Sequence, residues 1–334
     1  MNYIGMDIHK QFTYAVVKDK DGNELDSGKF DNSLENFTQF LEPYCPEETK
    51  IVMESTSVWE HIYDLLESLN YIAILANPMK TKAIAYARIK TDKIDASILA
   101  DLLRANLVAS NYIPPKEVRE LREIMRQRKT IVRGKTQIKN KIHAILTRKG
   151  IKLPYKTLCQ SSFQWILEET NNFTIKSTLI SYINLLEQYE FEVKKLLEKI
   201  QEIIYDNKQA QLLMTIPGIG PVFAIEVLSE IGEIGRFESG EKLCSYAGLV
   251  PSIKQSGSTL KFGRLIKKAN TTIKCALIEA SWVAVRTKEN NPLKEHYMRL
   301  AKKKGKQKAI CATARKMCCI IYAMLSKNQT FMFL

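Results

Sequence analysis

The first hundred residues alternate between short apolar runs and stretches of helical spacing, a pattern satisfied by a sheet with helices packed on it. Residues 3–8 and 13–18 are two such runs, and the turn signal Asp21-Gly22-Asn23 joins the second to a third at 24–30. Three consecutive strands are expected there. Leu34, Phe37, Phe40 and Leu41 then repeat at helical spacing, 51–53 forms a strand ending at Glu54, 59–69 returns to helix, and 72–76 is a further buried strand. A basic helical stretch over 79–89 and a helix through Asp95, Ile98, Leu99, Leu102 and Leu103 complete a βββαβαβα unit, which Pro114-Pro115 ends.

Beyond the prolines the pattern changes to long helices. From 117 to 149 the apolar positions Val118, Leu121, Met125, Val132, Ile138, Ile142 and Ile145 leave a broad Lys/Arg face. Residues 179–204 place Leu179, Ile183, Leu186, Glu190, Val193, Leu197, Ile200 and Ile204 at alternating four-three spacing, the pattern of a coiled-coil arm. That seam fits packing in cis against the basic helix or in trans against another subunit. From Met214 onward the chain reads as helices broken by Gly and Pro. At 334 residues two or three domains are expected, and the boundaries fall at 1–112, 113–210 and 211–334.

Charge separates these segments sharply. Net charge is +14 overall, but residues 1–110 carry −6, residues 111–152 carry +10, residues 153–285 balance, and residues 286–316 carry +9. Either basic run alone reads as a solvated helix face. Two together favour a polyanion, nucleic acid before an anionic membrane surface. Seven cysteines without a C-x-x-C pair, and His9, His61, His143 and His296 without ligand spacing, argue against a disulfide framework or a structural zinc site. Cys311, Cys318 and Cys319 read as core positions of a C-terminal helix. No apolar run reaches the roughly 18 residues of a membrane span, and Asp7 stands where a signal peptide has its apolar stretch. A cytoplasmic protein without a membrane is expected.

Four carboxylates in the first unit stand where burial is costly. Asp7 lies in the apolar strand Ile4-Gly5-Met6-Asp7-Ile8-His9-Lys10, Glu54 closes a buried strand, and Asp92 and Asp95 share one face at the start of a helix. Singly, each has a bland reading as a strand-end, cap or first-turn residue. Jointly they suit two-metal phosphoryl transfer, in which converging carboxylates hold Mg²⁺, with Mn²⁺ able to substitute. Arg119, Arg122, Arg126, Arg133, Lys135 and Lys139 on the basic helix are candidate phosphate contacts. Further on, Thr215-Ile216-Pro217-Gly218-Ile219-Gly220-Pro221 before an apolar helix looks like a helix-hairpin-helix turn, where Gly218 and Gly220 would let backbone N–H groups approach a phosphate. Residues 254–268 form a Gly-flanked stretch, expected to be mobile, in which Ser256 sits among Lys254, Lys261, Arg264, Lys267 and Lys268.

The blocks Gly5-Met6-Asp7-Ile8-His9-Lys10, Met53-Glu54-Ser55-Thr56-Ser57 and Lys90-Thr91-Asp92-Lys93-Ile94-Asp95-Ala96 closely resemble the N-terminal domain of DEDD-type insertion-sequence transposases, relatives of the Piv invertases. Ala247-Gly248-Leu249-Val250-Pro251 followed by Gln255-Ser256-Gly257 resembles the C-terminal transposase domain of the same family. The match departs at Ala269, where glycine usually precedes the asparagine, and at Lys274, where arginine is common. The resemblance implies an RNase H-like, RuvC-like fold for the first domain, with Asp7, Glu54, Asp92 and Asp95 as the metal tetrad. It further implies Ser256 as nucleophile, with Ser258 a close neighbour, and a helical C-terminal domain. It also implies a DNA transposase/recombinase acting on donor and target DNA, a noncoding bridge RNA as guide, a dimer or tetramer sharing a composite site, and a nucleoid-associated location in a bacterial or archaeal cell. A Mg²⁺-dependent junction endonuclease using the tetrad alone, or a nonenzymatic nucleic-acid-binding protein, also fits the residues.

Overall fold

A computed structural model describes residues 1–84, 91–256 and 259–331. The chain divides into two compact units, 1–113 and 114–334. The first is built on six strands, β1 (Asn2–Ile8), β2 (Phe12–Lys18), β3 (Glu24–Asp31), β4 (Thr49–Glu54), β5 (Ala73–Ala76) and β6 (Ser110–Asn111), in the spatial order β3-β2-β1-β4-β5-β6. β1–β2 and β2–β3 are antiparallel, whereas β1–β4 and β4–β5 are parallel. The parallel pairs demand crossovers, which α1 (Leu34–Leu41) and α2 (Trp59–Ser68) supply.

Strand alternation assigns the two faces of the sheet. Ile4, Met6, Ile8, Ile51 and Met53 point to the side where Phe37 and Leu41 of α1 and Ile62 and Leu66 of α2 complete a core. Val52 and Ala76 point to the other side and meet Leu99 and Leu103 of α4 (Asp92–Arg104). Helix α3 (Pro78–Ile84) begins where the basic helical stretch was expected; residues 85–90, including Lys90, lie outside the described residues. β6 was not expected, being only two residues held by pairing to β5.

In the second unit, α5 (Lys116–Arg148) and α7 (Phe173–Asp206) form an antiparallel hairpin around the short α6 (Gln160–Glu169). Ile138, Ile142 and Ile145 meet Leu179, Ile183 and Leu186, whereas Met125 shares a core with Ile200 and Ile204. The apolar seam therefore faces α5 of the same chain. Its one charged position, Glu190, is bonded by Lys135 at 2.8 Å, and beyond it Leu196 rather than Leu197 is the buried leucine. The remaining helices are α8 (Lys208–Met214), α9 (Pro221–Ile231), α10 (Gly240–Tyr246), α11 (Thr271–Arg286), α12 (Pro292–Lys304) and α13 (Lys306–Lys327). α13 corrects one expectation, for it is long and apolar enough by composition to cross a membrane. Half of that window is buried, with Met317, Cys318 and Ile321 in the core of the unit.

Residues 254–268 correct another. Of these, 254–256 and 259–265 lie in an antiparallel hairpin of β7 (Pro251–Ser256) and β8 (Thr259–Leu265), where a loop was expected. Backbone pairing organises a segment whose sequence, rich in Lys, Ser and Gly, shows little apolar alternation.

Candidate functional site

Asp7 and Glu54 each follow the parallel register pair Met6–Met53, so they lie at the same level near the C-terminal ends of adjacent strands. Because Met6 and Met53 face α1 and α2, alternation sends Asp7 and Glu54 to the α4 side. Gly5 explains how α4 comes so close. A Cβ at that position would lie 2.0 Å from the Ala96 carbonyl oxygen and 2.5 Å from the Ala100 nitrogen. Only glycine permits this approach, which sets the first turn of α4 beside the end of β1. That helix is capped by Thr91, whose side chain accepts from the Ile94 N–H. The cap is thus Thr91, leaving the Asp92 carboxylate free of that task and turned toward Asp7.

Among the described residues, one group of three metal-ligating side chains, Asp7, His9 and Asp92, holds its donor atoms within 4.8 Å of one another. His9 Nε2 lies 3.3 Å from Asp7 Oδ2 and 3.3 Å from Asp92 Oδ1. That nitrogen is buried and yet makes no hydrogen bond to either oxygen. The ring stacks on Phe12 at 4.5 Å between centroids, and the His9 N–H donates to the Phe12 carbonyl at 2.9 Å. Burial pushes the Asp7 carboxyl above its ordinary value; His9 opposes the shift, and Asp95, Asp92 and Glu54 reinforce it. All four carboxylates of the expected tetrad therefore share one electrostatic neighbourhood, the condition in which a cation is most favoured. Sequence reasoning passed over His9 by testing histidines against one another. The Asp7-x-His9 spacing, which puts two donors on one side at the end of β1, was the available signal.

The cations expected along a phosphate backbone divide into two groups. Arg119 is buried. Arg122 donates from Nε to the Ser229 carbonyl at 2.6 Å and from Nη2 to the Glu230 carbonyl at 3.1 Å, holding α5 to the end of α9. Lys135 is engaged by Glu190, as above. Arg126 and Arg133 are exposed and Lys139 is half-buried.

Gly218 has φ +91°, and a Cβ there would come within 2.3 Å of the Ala280 carbonyl, so close packing on α11 requires it; Gly220 opens α9 with empty space beside it. Ser256 is the last residue of β7, paired in register with Thr259, and Gly257 and Ser258 lie outside the described residues. Lys261, Arg264, Lys267 and Lys268 are exposed. No acidic residue occurs from Lys242 to Ile278. Asn270 caps α11 and donates to Glu230 Oε2 at 2.6 Å, which ties the basic segment to α9.

Two transposase family models match this chain. A DEDD transposase model of the IS110 type covers residues 4–150, and the model described as Transposase IS116/IS110/IS902 family covers residues 210–298. The transposase for insertion sequence element IS1328 of Yersinia enterocolitica is 23% identical over 347 residues, covering 98% of each chain. A pilin gene-inverting protein of Moraxella bovis is 25% identical over 350 residues, covering 98% of this chain and 97% of its own. The y4qE protein of Sinorhizobium fredii is 26% identical over 225 residues, and there the match spans 66% of this chain and only 55% of the relative's length. With transposase models matching both of its units, the chain belongs to the IS110/IS116 family of insertion-sequence transposases.

Proposed function

We propose that the protein is an RNA-guided DNA recombinase that cuts and rejoins strands of its element and target, with Asp7, Glu54, Asp92 and Asp95 as the ion-binding carboxylates and Ser256 as the nucleophile. The observation that carries this reading is the gathering of the four carboxylates and His9 at the end of β1. A buried nitrogen that makes no hydrogen bond yet lies 3.3 Å from each of two carboxylate oxygens suits a cation, so the residues present fit a divalent ion. Such an ion, Mg²⁺ or Mn²⁺, would polarise a scissile phosphate and offset its charge. On this reading residues 1–112 form an RNase H-like, RuvC-like domain. Its three leading antiparallel strands, two parallel strands and central-strand aspartate support the assignment.

The serine has the complementary task. Ser256 Oγ, losing its proton, bonds to phosphorus while the bond to the leaving DNA oxygen breaks and that oxygen takes up a proton; the ester conserves bond energy until a second DNA hydroxyl displaces the serine by the same exchange in reverse. No ATP is then needed. Residues 113–210 supply the basic helix, whose exposed Arg126 and Arg133, with Lys139, would follow guide RNA by shape and charge. Residues 211–334 carry the serine, and Lys254, Lys261, Arg264, Lys267, Lys268 and the α9 N-terminus at Gly220 would hold the DNA backbone beside it. The tetrad and serine would meet in a composite site formed by protomers of a dimer or tetramer.

Supercoiled donor DNA, the element's noncoding RNA and Mg²⁺ test this together. Strand transfer is expected, abolished on omitting the RNA or adding EDTA and abolished in Asp7→Ala, Glu54→Ala, Asp92→Ala or Asp95→Ala. Full activity in any two of those variants would refute the tetrad. Hydrolysis without joining would instead mean a nuclease, and binding without cleavage a nonenzymatic protein.

A further inference from the structure

His9 is more than a neighbour of the tetrad. Its Nε2 is equidistant, at 3.3 Å, from one oxygen of Asp7 on β1 and one oxygen of Asp92 on α4. Neither approach has hydrogen-bond geometry, although the atom is buried and a hydrogen bond is its ordinary solution. An octahedral ion with bonds of roughly 2.1 Å sets adjacent donors about 3.0 Å apart and opposite donors about 4.2 Å apart. The separations of 3.3 Å, inside a group spanning no more than 4.8 Å, approach that spacing before any ion draws the ligands inward. The ring is also held in place without using Nε2. It stacks on Phe12, and the His9 main chain is fixed at both ends, its N–H to the Phe12 carbonyl and its carbonyl to Asn32 Nδ2 at 2.8 Å.

We propose that His9 is itself an ion ligand, so that Asp7 Oδ2, His9 Nε2 and Asp92 Oδ1 form a mixed nitrogen–oxygen site with a preference for Mn²⁺, or another first-row transition ion, over Mg²⁺. This rests on the reading above that the carboxylates bind a divalent ion. Imidazole is a softer donor than carboxylate or water, and substituting it for an oxygen raises affinity for transition ions more than for the hard ion Mg²⁺. Glu54 and Asp95 then complete a site with a donor set different from that of four carboxylates alone.

Pulsed electron paramagnetic resonance of the full-length protein loaded with Mn²⁺ alone reads the donor set directly and requires no DNA, RNA or turnover. The spectrum should contain a nitrogen coupling that changes to the ¹⁵N pattern when the wild-type protein is made with ¹⁵N-histidine, and that vanishes in His9→Gln. Mn²⁺ affinity in His9→Gln should fall by at least about tenfold, with a smaller loss for Mg²⁺, so the selectivity ratio narrows. Mn²⁺ bound in an Asp7-dependent manner without nitrogen coupling would overturn the His9 assignment and leave the carboxylate site standing. Coupling that persists in His9→Gln would overturn it as well. Failure of the wild-type protein to bind Mn²⁺ at all would defeat the ion reading itself. The labelled wild-type spectrum decides the matter even where His9→Gln folds poorly.

Discussion

Two residues two positions apart on β1 do opposite things, and each can be tested. Gly5 is required by the nearness of backbone, not of a side chain that could rotate away. Gly5→Ala must push α4 off the sheet and carry Asp92 and Asp95 with it. A stability loss of about 1–3 kcal/mol is expected from urea unfolding, together with loss of strand cleavage. Asp7 is expected to weaken the ion-free fold. Its raised carboxyl, caused by burial and by the acidic neighbours, binds a proton more readily folded than unfolded. Stability in the absence of ions therefore falls as pH climbs from the ordinary carboxyl value through the raised one, and remains lower above it. Asp7→Asn should melt above wild type at pH 7 in EDTA, the two curves converging below about pH 4. Mn²⁺ should reverse the order by stabilising wild type alone. At this scale the sequence disclosed the carboxylates, since an aspartate in an apolar strand is conspicuous. It did not disclose His9, whose approach to Asp92 depends on α4 arriving beside the end of β1.

At the scale of elements, regular periodicity decided what could be read. β1, β2, β4, β5, α1, α2, α4 and the long helices were legible because their apolar positions line buried faces, and β3, which buries no residue, because the turn signal Asp21-Gly22-Asn23 precedes it. The β7–β8 hairpin was not, because its apolar residues Ile253, Leu260 and Phe262 are exposed and its register rests on backbone pairing. Composition also spoke for the basic face of α5 as a whole without saying which cations are spent internally. Arg122→Gln should lower stability by about 1.5–3 kcal/mol by removing charge-assisted hydrogen bonds to the end of α9. The salt dependence of RNA binding should not change. Arg126→Gln with Arg133→Gln should do the reverse, leaving the melting temperature in place. Their slope of log affinity against log salt should flatten by roughly 0.7–0.9 for each phosphate no longer neutralised. Equal slopes in both variants would return that face to solvent.

For the whole molecule, the sign of the charge separates an acidic sheet unit, which on the proposed reading would gather an ion, from a basic helical unit, which on the same reading would meet a polyanion. The sequence puts boundaries at 112/113 and 210/211, whereas the structure divides the chain into two units, 1–113 and 114–334. Length and hydropathy could not tell a core helix from a membrane span in α13, which its burial among α10, α11 and α12 explains. The central claim is that the protein breaks a DNA strand by forming a bond to Ser256 and keeps the energy for rejoining. Its most direct test is a denaturing gel of wild type, Ser256→Ala and Ser258→Ala after incubation with end-labelled supercoiled donor DNA, the noncoding RNA and Mg²⁺. Wild type and Ser258→Ala should give a covalent protein–DNA band, absent along with joining in Ser256→Ala while RNA and DNA binding persist. An adduct in Ser256→Ala, or strand joining by that variant, would contradict the claim.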